Sequence, residues 1–197
     1  MDAPDPAVSA LVTKGYEALA DLLAGFPAER WDEPSLCEGW RTREVVAHMT
    51  MPVRYDQAAF MAELEACGFD FTRLSNTVAE RDGSLPTETL VAQLRDSTLH
   101  AWEPPDGGVM GALSHLVIHG LDITVAVGAP RCFPDEAVVL ILDQCTRGGK
   151  HVHFGTDVGG RTFVASDVDW SFGAGPELRA PAEELLLHVC GRRVPGL

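Results

Sequence analysis

Residues 109–127 read VMGALSHLVIHGLDITVAV, and the fold turns on this stretch. Ala112, Leu113, Leu116, Val117, Ile118, Ile123 and Val125 go right round the helical wheel, and Gly128 and Pro130 end the run. A helix apolar on all sides is buried, so other helices must cover this one. Three titratable groups interrupt it. At about 100° per residue, His115 and His119 lie roughly 40° apart, with Asp122 roughly 20° to the other side of His115, so all three share one stripe. Buried polar groups need partners, because an unsatisfied one costs about 1–3 kcal/mol. The i, i+4 histidines fit either a shared metal ion or two hydrogen-bonded core histidines. HLVIH has leucine where the zincin motif carries its catalytic glutamate.

The covering helices are legible on both sides. Residues 7–25 carry Val8, Leu11, Val12, Leu19, Leu22 and Leu23 at helical spacing, with Pro6 suited to the first turn and Gly25 to the stop. A loop follows from Phe26 to Arg41, and its Trp31 and Trp40 predict packing onto the body. Thr42 is the expected N-cap of a second helix, with Glu44 in its first turn. Pro52 clashes with the carbonyl of His48 and kinks that helix, which is expected to resume through Cys67. Residues 68–86 read as polar and turn-rich, with room for one short helix. Thr87–Trp102 reads as a third long helix, and EPPDGG at 103–108 as a break. Pro134 to Arg147 reads as the helix after 109–127. Residues 151–197 change character. Arg161–Trp170 alternates like a strand, GAGP at 173–176 is a turn, and Pro181–Arg192 is a last amphipathic helix. The expected fold is mainly α: a helical bundle over 1–150, with a small C-terminal α/β appendage, 151–197, too short for a core of its own.

Composition narrows the function. The 197 residues carry 29 acidic and 15 basic side chains, a formal charge of −14. No basic patch stands against that balance, which argues against nucleic acid and anionic membrane as partners. At 46% hydrophobic and 22% charged the chain is globular material. Five cysteines, none spaced as a metal knuckle or redox pair, suit a reducing cytoplasm. MDAPDPAVSA has neither the basic start nor the apolar run of a signal peptide, and Ala137–Leu142, the longest apolar run, is far too short to span a bilayer. The expectation is a cytoplasmic protein, monomer or homodimer.

A metal at His115 and His119 needs a third ligand. His48 is the best candidate, among Val45, Val46, Ala47 and Met49, although a satisfied core histidine fits the same place. Bundles build metal sites from facing helices, and three imidazoles would leave one position open, as in catalytic zinc sites. Imidazoles also suit iron, copper and nickel. Asp122 would orient a ligand or pair with an arginine. Cys37 can approach the metal or act as a small buried hydrophobe. His151 and His153 would share one face of a strand at the surface or rim, while His100 and His188 read as ordinary helix residues. There is no GxGxxG after a strand, no phosphate loop and no GxSxG elbow.

Three segments together carry a family resemblance. WDEPSLCEGWRTREVVAHM (31–49), HLVIHGLDITVAVG (115–128) and DVDWSFGAGPELRAPAEELLLHVCGRR (167–193) resemble the mycothiol-dependent maleylpyruvate isomerase family of the DinB-like superfamily. The resemblance implies a DinB-like four-helix bundle. It implies a divalent metal, usually zinc, held by a histidine on the second helix and by two groups four residues apart on a later one, here His48, His115 and His119. The isomerases look to have glutamate where this chain has His115. A neutral ligand leaves the metal more positive, which favours a deprotonated thiol or water, and the change bears on the isomerase activity itself.

The function this implies is activation of a low-molecular-weight thiol, mycothiol by resemblance, for addition to a small electrophilic substrate. Loss of the thiol gives isomerisation, and retention gives transfer. Asp122 would act in catalysis, and Arg179 would contact an anionic substrate, in competition with Arg161, Arg192 and Arg193. Two rivals remain. A metal-dependent hydrolase shares the ligands but needs no thiol, and a metal-free ligand-binding or tailoring protein would not co-purify with metal.

Overall fold

Asp5 accepts a hydrogen bond from the Ala7 N–H (2.9 Å) and starts α1 (Pro6–Ala24), with proline in the first turn and Gly25 at the end. Val8, Val12, Tyr16, Leu19 and Leu23 form its buried stripe. The structure is a computed structural model. It describes residues 5–105 and 107–197; residues 1–4 of the acidic N-terminal stretch and Asp106 of the 103–108 break lie outside the described residues.

The second helix, α2 (Thr42–Met49), begins one residue earlier than expected. Thr42 is its first helical residue, and Arg41 is the cap. The Glu44 carboxylate reaches back to accept from the Arg41 backbone N–H (2.6 Å) and also binds the Arg41 guanidinium. Pro52 has the expected effect. The chain breaks at Thr50, and a short α3 (Met51–Arg54) follows. The resumed helix α4 (Gln57–Ala66) is separate from it and buries none of its residues.

The turn-rich segment contains a twelve-residue helix, α5 (Phe71–Asp82), capped by Asp70, which accepts from the Arg73 N–H (3.0 Å). Its apolar stripe is only Leu74, Val78 and Ala79, and it becomes visible as a face because α2 packs there. The third long helix is two: α6 (Thr87–Leu94) and α7 (Ser97–His100). Asp96 divides them by accepting from the Thr98 N–H (2.7 Å), a local cap that competes with continuation of the helix.

The central helix is α8 (Gly108–Thr124), followed by α9 (Asp135–Cys145). Helix α1 packs on α8 and α6, and α2 packs on α8 and α6, so these four close a ring. Outside the ring, α5 lies on α2, and α9 lies on α8. Gly120 of α8 faces the Phe133 ring, and a Cβ there would stand 2.2 Å from the ring edge. Gly120→Ala is expected to cost about 1–3 kcal/mol through overpacking, read as a lowered urea midpoint.

The appendage is a three-stranded sheet, β1 (Thr162–Ala165), β2 (Ser171–Gly173) and β3 (Glu177–Ala180), in the order β2-β1-β3. Strand β1 pairs antiparallel with β2 and parallel with β3. The expected strand over 161–170 is thus shorter. The turn that carries the chain from β2 across to β3 needs Gly175, at φ +133°, where a Cβ would meet the Gly160 carbonyl at 2.4 Å. The last helix, α10 (Ala182–Val189), packs on α9 and α8. Phe163, Trp170, Leu185 and Leu186 join the same core as the bundle residues, so the appendage shares the bundle's interior. His151 and His153 sit in a 3-10 turn (Lys150–Phe154), not on a strand, and His151 Nδ1 bonds the Cys145 carbonyl (2.9 Å). Among the described residues, no helix is long and apolar enough to cross a membrane.

Candidate metal centre

Helix α2 contributes His48 and α8 contributes His115 and His119, because the two helices face each other in the ring. One nitrogen from each imidazole lies within 4.8 Å of the others. The rings are 4.9–5.1 Å apart between centroids. His48 Nε2 and His115 Nε2 stand 3.2 Å apart. That is close to the edge of a tetrahedron with bonds of about 2.0–2.1 Å, roughly 3.3 Å, so the pair fits a zinc-like ion. His48 Nδ1 and His115 Nδ1 are buried without partners.

Burial, with His119 and Arg54 nearby, pushes His48 down to about 3. Burial likewise holds His115 well below the usual imidazole range. Both are therefore neutral at pH 7, the form that ligates metals. The shift carries a stability consequence. In the unfolded chain both histidines take protons near pH 6.5, whereas folded His48 does so only near 3. Below about pH 6.5 the unfolded state binds more protons, so metal-free protein is expected to lose up to about 1.4 kcal/mol per pH unit for each histidine. This stability is complete above pH 6.5 and falls progressively toward pH 3. Urea midpoints at pH 7, 6 and 5 read the slope, and His48→Gln should flatten it.

Asp122, fully buried, lies behind His119. Its Oδ2 is 3.1 Å from His119 Nδ1. Burial alone would raise this carboxyl, but hydrogen bonds from His119 and Arg192 outweigh it and hold the group down at about 2. An ionised carboxylate only accepts, so His119 Nδ1 carries the proton and its Nε2 lone pair is left for the cluster. Arg192 grips the same carboxylate with two bonds, Nε to Oδ1 (2.7 Å) and Nη2 to Oδ2 (2.9 Å). Gly191, at φ +76°, turns the chain out of α10 and delivers that arginine.

The loop before α2 closes the other side. The Leu36 N–H donates to the Asp122 backbone carbonyl (2.9 Å), which places Cys37 Sγ 2.9 Å from Asp122 Oδ2 and 3.6 Å from His119 Nδ1. Burial and the carboxylate push the Cys37 thiol well above its ordinary value, so it stays protonated and donates to Asp122. Trp40 packs against His48, with ring centroids 5.0 Å apart.

The three histidines line a cavity of about 660 Å³. Its wall includes Met51, Phe60, Phe71, Trp102 and Pro104. The structure thus brings His48, His115, His119 and Asp122 together. It does not bring Arg179 there: that side chain lies on β3, exposed, 3.2 Å from Glu177, and outside the cavity wall. Arg192, one of its competitors, is the arginine that reaches the centre. Cys37 also comes closer than its sequence context suggested. Trp40, Trp102, Phe60 and Phe71 escaped sequence reasoning as site residues; two tryptophans in one loop were the one available signal.

A ring of four helices with imidazoles from two of them, and a small sheet docked behind, is a DinB-like bundle. A crystal structure of the mycothiol-dependent maleylpyruvate isomerase superposes with a TM-score of 0.60 at 16% identity, covering 99% of this chain and 92% of that one. The crystal structure of a histidine-to-alanine mutant of that enzyme gives 0.58, with the same identity and coverage. Residues 12–105 match the family model of the mycothiol maleylpyruvate isomerase N-terminal domain. The match includes His48 and ends before α8. No curated protein matches the chain.

Proposed function

We propose that this chain is a metal-dependent enzyme that activates a low-molecular-weight thiol, mycothiol or a close analogue, for addition to a small electrophile. One observation carries the reading: three imidazole nitrogens within 4.8 Å of one another in the wall of a cavity. His48, His115 and His119 would hold the ion, with zinc the first candidate for an all-nitrogen set. A divalent ion bound there supplies a Lewis acid that favours thiolate over thiol at neutral pH.

The protein's own groups do the rest. Asp122 holds the His119 Nδ1 proton and keeps Nε2 turned to the cluster, and Arg192 holds Asp122. Trp40 lies tilted against His48 and Trp102 edge-on to His115, and each covers a flank of its imidazole. In the reaction, the thiolate sulfur bonds to the β-carbon of an activated double bond, and the π electrons move to the conjugated carbonyl oxygen. Rotation about the new single bond and expulsion of the thiolate give isomerisation. Protonation at the α-carbon instead gives the thioether, the product of transfer. Both outcomes are open to this donor set, in which neutral His115 stands where the resemblance implies a glutamate. Localisation in the cytoplasm fits a thiol co-substrate.

The test uses zinc-loaded protein, an electrophile, and mycothiol or N-acetylcysteine. Turnover that requires the thiol, by at least about tenfold over the thiol-free reaction, is the expected result. Hydrolysis at full rate without thiol would replace this reading with the hydrolase.

A further inference from the structure

The cavity beside the histidines has a chemical bias. Its apolar wall is Met51, Pro52, Phe60, Phe71, Trp102 and Pro104, and no lysine or arginine is among the described residues that line it. The charged residues of the wall are carboxylates, Asp56 and Glu103. Of the arginines near it, Arg73 is exposed and lies outside the lining, and Arg54 and Arg81 are occupied. Arg54 bonds Asp82 (2.9 Å), Thr50 Oγ1 (2.8 Å) and the Ala47 carbonyl (2.6 Å). Arg81 bonds Asp82 and Glu63 (3.0 Å each). The Tyr55 hydroxyl, another possible donor to an anion, is committed to Asp82 (2.6 Å).

We infer that the electrophile accepted at this site is uncharged and apolar, that Phe60, Phe71 and Trp102 select it, and that dicarboxylates are rejected. The inference rests on the function proposed above and narrows its substrate. A bound metal can neutralise one carboxylate. A second carboxylate would leave water for a largely aromatic wall with no cation, where only the neutral donors of Gln57 and Trp102 stand beside Asp56 and Glu103, on a protein of formal charge −14. An aromatic or alkyl group meets the opposite situation. Phe60 and Phe71 stand 6.5 Å apart at 48°, and Trp102 sits edge-on to His115 at 5.3 Å. Phe71 is 56% exposed, so an apolar ligand gains contact area by covering it. Aromatic walls with few polar groups are the usual construction for apolar ligands.

The neutral fluorescent probe N-phenyl-1-naphthylamine tests this on both metal-free and zinc-loaded protein. Saturable binding at one site is expected in both forms, weakened at least about fivefold by Trp102→Ala and by Phe60→Ala, with far-ultraviolet circular dichroism confirming that each variant folds. Styrene oxide, an uncharged electrophile, should displace the probe, and maleate at tenfold higher concentration should not. Phe71→Arg adds the missing cation and should reverse the order of the two competitors. Displacement by maleate as effective as by styrene oxide on wild-type protein would overturn the inference, as would probe binding indifferent to Trp102 and Phe60. The metal-free arm needs no turnover, so it judges the cavity even if the thiol reading fails. Conversely, thiol-dependent turnover of a dicarboxylate would sink this inference and leave the thiol reading standing.

Discussion

Untagged protein equilibrated with zinc and desalted is expected to carry about one equivalent of metal, and His48→Ala, His115→Ala and His119→Ala to carry almost none. Two helices supply all three imidazoles, so removing one leaves two neutral ligands and water, short of the three protein ligands of a catalytic zinc site. The loss has a lower bound. Deleting only an outer partner of a ligating histidine costs about 10–100-fold in affinity, so deleting the histidine itself should cost roughly 100-fold or more. Asp122→Asn supplies that smaller step, because His119 Nδ1 then loses its carboxylate acceptor. His115→Glu should keep the metal, since a carboxylate oxygen replaces the nitrogen in the same turn of α8. Elemental mass spectrometry reads all of these. A wild type without metal, or three alanine variants that retain it, would leave the histidines as core groups and end the enzyme reading.

The second large effect is on stability. Arg192→Ala is expected to destabilise the protein by about 3 kcal/mol or more, and Asp122→Ala by less, although both break the same bidentate pair. The difference lies in what each variant leaves behind. Asp122 has no exposed side-chain surface, so its carboxylate stays fully buried without its cation. The Arg192 side chain is 21% exposed and can turn partly toward water when its acceptor is lost. The double variant Asp122→Leu/Arg192→Met, which leaves no buried charge, should cost less than Arg192→Ala alone. Urea unfolding of metal-free protein separates these cases, and single-variant costs below about 1 kcal/mol would show that the network holds the site without holding the fold.

What the sequence by itself determined was whatever depends on one helix or one strand. The period of 109–127 placed His115, His119 and Asp122 on one stripe of a buried helix, and Pro52 marked the break after α2. Local side-chain chemistry blurred the boundaries. Asp96 caps a new turn inside an otherwise continuous pattern, and polar α5 shows its short stripe only against α2. The tertiary structure alone decided who meets whom. Arg192 reaches Asp122 across 70 positions, and Cys37 reaches it across 85. It also decided that Phe60 and Phe71 line a cavity: α4 buries none of its residues, and Phe71, at the start of α5, stays exposed. Periodicity is a property of one element against an unspecified interior. Contacts between distant segments depend on the relative placement of whole helices, and that is set by the sum of many packing interactions which no single stretch encodes.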